Sequence, residues 1–318
     1  MTFERSPGCV LCGAHVQESL DRVFDARFGV PGFWTIGICS ACGLEQTFPL
    51  LDLSALRALY EAHYNFGGEK DTLYDRLRER FLGSAAYAMW LRLDGDVSFH
   101  GRRGQGRLLD VGCNEGRSLL RYRAGGFTAE GVEINAMAAA RARAAGFRVH
   151  EGTIEDFRPT QLYDVVVLSN VLEHALDPRD MLRRVRSVLA PGGQLWVSLP
   201  NGRSWLRALF GRAWINWHVP FHIVHFSEAT LGKLLREEGF AVESTNCTTP
   251  AVWVCQSLLA AVFGRPSRPT LALRNPALVG GVMAAIRGLF FPVLWAGDVT
   301  GRGDCLVVTA RKDARSAV

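Results

Sequence analysis

The sequence predicts a doubly wound α/β fold with a seven-stranded, mostly parallel sheet, on three observations. From Arg107 onward, short apolar runs alternate with amphipathic segments. A glycine-bearing turn follows the first of those runs, at Gly112 and Gly116. The most apolar run, YDVVVLS at 163–169, has the composition of a strand covered on both faces. Strand–helix alternation of this length argues a parallel sheet with helices on both sides.

Each element follows in order. Residues 1–50 hold two C-x-x-C pairs and form a small module of their own. Helical patterns occupy 51–99. In 51–64, Leu53, Leu56, Leu59 and Tyr60 recur at three- and four-residue spacing, and 71–93 continues with Leu73, Leu77, Phe81 and Leu82. The glycine-rich stretch 94–106 is a loop. The sheet domain takes 100–250 and 301–313. Its strands are RLLDV (107–111), AEGVE (129–133), FRVHE (147–151), YDVVVLS (163–169), QLWVSLP (194–200), FAVESTNC (240–247) and DCLVVTAR (304–311). Helices fall at 116–124, 136–145, 177–189 and 227–238. Pro178 opens the third of these, Pro191-Gly192-Gly193 stops it, and Ser227 caps the fourth.

An apolar helical insertion at 251–300 separates the last two strands. It holds a run at 250–263, a Pro- and Arg-rich linker, and a second run at 277–297. The second run has the length of a membrane span but carries Arg287, Pro292 and several glycines, so a spanning helix is not expected. Two readings stay open. One is a peripheral membrane contact, or a clamp on a lipid-linked acceptor, flanked by Arg265, Arg268 and Arg274. The other is a helical pair packed on the sheet or on a second copy, a homodimer.

Composition bounds the function. The chain has 318 residues, 48% hydrophobic and 10% aromatic, which supports a sizeable core and excludes disordered and collagen-like classes. The net charge is +5, yet the basic residues are arginines scattered along the chain, with only Lys70, Lys233 and Lys312 as lysines. No dense basic run appears, so a nucleic-acid partner is not expected. The opening MTFERSPGCV has no apolar h-region, and eight cysteines are too sparse for a disulfide scaffold. A cytoplasmic setting is expected, with any membrane contact at its inner face.

The sharpest constellation is LLDVGCNEGRSLL, 108–120. A strand ends at Asp110 and Val111, and Gly112 and Gly116 open a helix. Glycine lets the backbone approach a ligand closely, and a helix N-terminus offers unpaired N–H groups. Glu133 ends the next strand, at the spacing of a carboxylate that accepts from both hydroxyls of a ribose. A dinucleotide fingerprint starting at Gly112 needs glycines where Asn114 and Arg117 stand. The loop instead resembles motif I of class I S-adenosylmethionine-dependent methyltransferases, read as Asp110, Gly112, Asn114 and Gly116, with Asn114 in place of the middle glycine. Asn tolerates a left-handed φ better than most residues. Matches continue in the order that family requires. Glu133 and Ile134 stand in GVEIN, and Ile154 and Glu155 in EGTIEDF look like the adenine border. YDVVVLSNVLEHALDP, 163–178, resembles motif IV, with Ser169–His174 following the fourth strand, and LAPGGQLWVSLPN, 189–201, resembles the helix, turn and fifth strand after it. The resemblance implies S-adenosylmethionine as cofactor and methyl transfer as activity.

Cys9, Cys12, Cys39 and Cys42 form two near-identical C-x-x-C-G knuckles. Four thiolates suit one closed, tetrahedral, structural zinc. A zinc module ahead of such a domain resembles the sugar C-methyltransferases and related enzymes of glycan biosynthesis. That resemblance places Tyr60 and Tyr64 at the acceptor pocket, beside the alternative that they are packing aromatics. His222 and His225 follow the fifth strand and His174 the fourth, where ligands meet such sheets. They are the candidate bases, His225 and His222 ahead of His174. In the sugar C-methyltransferases a Glu precedes the comparable His, whereas Val224 stands there here. The acceptor expected is a small molecule or glycan, methylated on oxygen or carbon. An RNA or protein methyltransferase and a non-catalytic zinc-stapled scaffold are the alternatives.

Overall fold

The computed structural model describes residues 8–63, 73–270 and 275–313. Eleven strands among them form two sheets. In chain order they are β1 (Val16–Val23), β2 (Trp34–Cys39), β3 (Glu45–Phe48), β4 (Arg107–Val111), β5 (Thr128–Glu133), β6 (Val149–Glu151), β7 (Tyr163–Ser169), β8 (Leu189–Pro200), β9 (Val224–His225), β10 (Phe240–Thr248) and β11 (Cys305–Lys312). The chain divides into two compact units. One takes the residues up to Gly95 with Pro200–Ser227 and Asn246–Cys305, and the other takes Asp96–Leu199, Glu228–Thr245 and the residues from Leu306.

The seven-stranded sheet runs β10-β11-β8-β7-β4-β5-β6, with β4, β5, β6, β7 and β8 paired in parallel. β7 sits in the middle, as its unbroken apolar run requires. Its register is fixed on both sides, with Val166 opposite Leu109 on β4 and opposite Leu195 on β8. The adjoining core gathers Phe99, Leu108, Leu119, Tyr122, Phe127, Phe147, Val165 and Trp196. Each parallel strand ends at a loop on one edge of the sheet, which is where this unit holds its candidate ligand-binding residues. The expected order of strands and helices therefore stands, with boundaries shifted by one or two residues at most elements. One shift has a physical cause. The helix Pro178–Val188 ends before Pro191-Gly192-Gly193, and β8 begins at once at Leu189, so those residues lie inside the start of a strand. The β7–β8 register slips between Tyr163 and Val165 at that place.

The other unit departs further from expectation. Residues 8–50 supply three strands of a sheet ordered β1-β2-β3-β9, antiparallel throughout, whose last strand comes from Val224–His225. Val16, Val23, Trp34, Ile36, Leu44 and Phe48 are buried. The helical stretch at 71–93 is two helices, Leu73–Leu82 and Ala85–Asp94. Ser84 separates them and caps the second by accepting from the Tyr87 N–H at 3.3 Å. The insertion forms three helices, Ala251–Phe263, Pro276–Leu289 and Phe291–Val299. The last two meet at a bend of 69°, and no single helix among the described residues is long and apolar enough to cross a membrane. Trp214, Trp217, Val219, Phe221, Val254, Ile286 and Leu294 join Val23, Trp34 and Ile36 in the core of this unit.

Candidate functional site

The loop after β4 holds Gly112, Asn114 and Gly116, the residues the sequence singles out for the cofactor. The N–H groups of Gly112 and Cys113 donate to the Val132 carbonyl, tying the loop to β5 at 2.8 and 3.2 Å. Gly112 has φ +73° and Gly116 φ +82°, and Asn114 between them has φ +51°. All three occupy the left-handed region, so Asn114 does the conformational work of the missing glycine. A Cβ at Gly112 would stand 2.8 Å from Val171 Cγ2, so the close approach requires glycine there on steric grounds as well. The helix Arg117–Ala124 opens directly behind Gly116.

Glu133, at the end of β5, is buried. One carboxylate oxygen accepts from the Asn114 N–H and the other from the Asn135 N–H, each at 2.8 Å. These two bonds fix the carboxylate plane, and each oxygen keeps a second acceptor site. Burial raises the Glu133 pKa, against the pull of the Asn135, Asn114 and Ile134 N–H groups. Asp110 lies buried behind the loop, and burial, with the Glu133 charge second, pushes its pKa up to about 8. Ile134 follows Glu133 and is half-buried. Ile154 after β6 is fully buried with Glu155 half-buried beside it. Ser169 at the end of β7 donates to the Val97 carbonyl at 3.0 Å. Thus Asp110, Gly112, Asn114, Gly116, Glu133, Ile134, Ile154, Glu155 and Ser169 all lie at the carboxyl ends of four adjacent parallel strands.

The four cysteines of the other unit converge. Cys9 and Cys42 Sγ atoms are 3.6 Å apart, Cys12 and Cys39 are 3.5 Å apart, and all four lie within 4.8 Å of one another. These separations exclude disulfides. A tetrahedral zinc with Zn–S bonds of about 2.3 Å needs sulfurs about 3.8 Å apart, so the donor set fits that ion. The Leu11 N–H donates to Cys9 Sγ and the Cys42 N–H to Cys39 Sγ, both at 3.4 Å, which favours thiolate.

The histidines occupy well-defined places. Thr47 Oγ1 donates to the His222 carbonyl at 2.6 Å, so it must accept from His225 Nε2 at 3.0 Å. His225 is therefore the Nε2–H tautomer. Burial and, second, the Arg207 charge push its pKa down to about 3. His222 Nδ1 faces the Asn216 carbonyl at 2.8 Å and must donate to it, which leaves Nε2 as the acceptor atom. His174 closes a short 3-10 turn, Leu172–His174, that follows β7. Tyr60 packs edge-on against Phe221, ring centroids 5.7 Å apart, among the core side chains of its unit. Tyr64 lies outside the described residues.

A family model described as a methyltransferase domain matches residues 69–245. The chain belongs to this methyltransferase family. Over 98 residues it is 33% identical to the ubiquinone biosynthesis O-methyltransferase of Bradyrhizobium sp., covering 29% of this chain and 39% of that one. Over 118 residues it is 30% identical to the Marinobacter nauticus protein of the same name, covering 33% and 47%. The chain thus spans less than half the length of these curated relatives. Among solved structures, a SAM-dependent methyltransferase of Thermotoga maritima, described as a possible histamine N-methyltransferase, aligns at 19% identity. That alignment covers 81% of this chain and all of that one, with a TM-score of 0.47.

Sequence reasoning missed one polar cluster. Arg207 binds the Glu45 carboxylate through both of its terminal nitrogens, at 2.6 and 2.7 Å, and stands 4.7 Å over the Trp217 ring. With His225, Ser204 and Arg302 they line a cavity of about 390 Å³. Glu45 and Arg207 lie 162 residues apart, so no local spacing announces the pair.

Proposed function

We propose that the protein is an S-adenosylmethionine-dependent methyltransferase acting on a hydroxyl of a small-molecule or glycan acceptor. The observation that carries the reading is the loop of Gly112, Asn114 and Gly116, all left-handed, facing a Glu133 carboxylate held by two backbone N–H groups. In this reading the loop backbone passes along the cofactor, and the remaining acceptor sites of Glu133 take the two ribose hydroxyls. Ile154 and Glu155 border the adenine. The bound cofactor supplies an electrophilic methyl group on a sulfonium. The chain's own residues align the nucleophile and exclude water.

A hydroxyl nucleophile also needs a group to take its proton. We assign that role to His222 or His174. In His222, Nδ1 is committed to the Asn216 carbonyl at 2.8 Å, and Nε2, the acceptor atom, faces His218 Nδ1 at 3.4 Å. With its pKa near 3, His225 is a weak base at neutral pH, and we read it as a positioning residue through Thr47. The curated relatives named for O-methylation support oxygen as the atom attacked. Cys9, Cys12, Cys39 and Cys42 would hold one structural zinc, with no coordination position left for a substrate.

Methyl-labelled S-adenosylmethionine offered with a panel of nucleotide-linked sugars, lipid-linked sugars and phenols tests the assignment. Label in a new ether on one class is expected, and lost in His222→Ala or His174→Ala while cofactor binding persists. Label only on RNA or protein would overturn the acceptor class.

A further inference from the structure

The three helices of the insertion carry an apolar outer surface that the methyltransferase reading does not use. In Pro276–Leu289, Val282, Met283 and Ile286 turn inward onto the core of their unit. Beside them Leu278, Gly281, Ala285 and Leu289 are exposed, and Leu289 is 77% exposed. A helix facing water normally carries charge on that side. The chain's own Pro178–Val188 helix does so, exposing Asp180, Arg183 and Ser187. At the bend Phe290 is 48% exposed, and the following helix adds Val293, Trp295 at 55% and Val299. The end of Ala251–Phe263 exposes Val262 and Phe263. These are more exposed large apolar side chains than scattered surface residues normally provide.

Charge indicates what covers it. Between residues 276 and 299 the only charged side chains are Arg287 and Asp298. Arg287 lies 5.6 Å over the Phe291 ring, and Asp298 accepts the Thr249 hydroxyl at 2.6 Å. Arg265 and Arg268 follow the exposed Phe263, are themselves exposed, and form no ion pair among the described residues. Exposed apolar and aromatic side chains, with unpaired arginines beyond Phe263, match an anionic lipid surface: acyl boundary for the first, phosphate for the second. A two-fold pairing of copies would turn the same arginine-bearing patch of each copy onto the other.

We propose that this face of the insertion docks on an anionic bilayer as a monotopic contact. The anchor is Leu289, Phe290 and Trp295, and Arg265 and Arg268 read the lipid charge.

Co-sedimentation of the full chain with vesicles tests this, using phosphatidylcholine alone and phosphatidylcholine mixed with phosphatidylglycerol. Binding to the anionic vesicles that weakens as salt rises is expected. Arg265→Glu with Arg268→Glu should weaken it about tenfold or more. Leu289→Glu with Trp295→Glu should weaken it by at least about tenfold. Circular dichroism and S-adenosylmethionine calorimetry on each variant establish that it is folded, and a failure of cofactor binding alone leaves the vesicle result standing. Absence of binding to either vesicle would overturn the proposal. So would equal binding to both vesicles that is unaffected by the arginine changes. A dimer in sedimentation, abolished by the Leu289 and Trp295 changes and unaccompanied by vesicle binding, would overturn it in favour of a second copy.

Discussion

Asn114 shows how one residue's backbone decides a motif match. Its φ of +51° is one that glycine adopts freely and that asparagine tolerates. Asn114→Gly should therefore keep cofactor affinity. Asn114→Val should lose about tenfold, because a β-branched residue costs roughly 1–2 kcal/mol in that region. Calorimetric titration of both variants separates the outcomes, and equal affinities would contradict the reading. Asp110 makes a second prediction at this scale. Its folded pKa near 8 exceeds its unfolded value, so the folded protein holds a proton that the unfolded chain gives up. That contribution to stability is complete below about pH 4 and is lost as pH rises through 8. The thermal midpoint of the cofactor-free protein should fall over this window, and Asp110→Asn should flatten the fall. Both residues were legible in the sequence, because the loop is local and its glycines announce it. The Glu45–Arg207 and Thr47–His225 pairs were not, because 162 and 178 residues separate their members.

At the scale of elements, the parallel strands read cleanly because burial on both faces leaves apolar runs without alternation. β1 was missed for the opposite reason. Its burial follows no period of two, since the β1–β2 register shifts between Glu18 and Leu20 and again between Leu20 and Val23. β9 has two residues and exists only by pairing with β3. The C-x-x-C knuckles were legible through their duplication, and the structure brings their sulfurs together. One zinc per chain is expected by elemental analysis. Chelation or Cys39→Ala should lower the unfolding midpoint of the N-terminal sheet, because a structural metal contributes directly to folding free energy. A metal-free protein with an unchanged midpoint would remove zinc from the account.

Across the whole molecule, the sequence carried the organisation of the sheet domain further than that of the rest. Residues 96–199 form one continuous piece of a compact unit. The other unit collects three separated stretches, and its core joins Trp34 to Trp214, Val254 and Leu294. Such a core has no local period to read. Buried Asp304 illustrates the point, accepting from Trp214 Nε1 at 2.8 Å and Asn216 Nδ2 at 2.9 Å. Burial pushes its pKa up to about 6, above the unfolded value. Its contribution is complete below about pH 4 and lost as pH rises through 6. Asp304→Ala leaves two buried donors unpaired and should cost about 2–5 kcal/mol in denaturant unfolding. A change within about 0.5 kcal/mol would show that the unit does not depend on this junction.

In the proposed function, Glu133 and the loop after β4 hold S-adenosylmethionine. Calorimetric titration of the zinc-loaded protein, beside Glu133→Ala, tests it most directly. One cofactor per chain is expected for the parent protein. The variant should bind at least about 100-fold more weakly, because two hydrogen bonds to a charged carboxylate contribute about 1.5–3 kcal/mol each. Equal binding by the two proteins, or none by a folded parent, would contradict it.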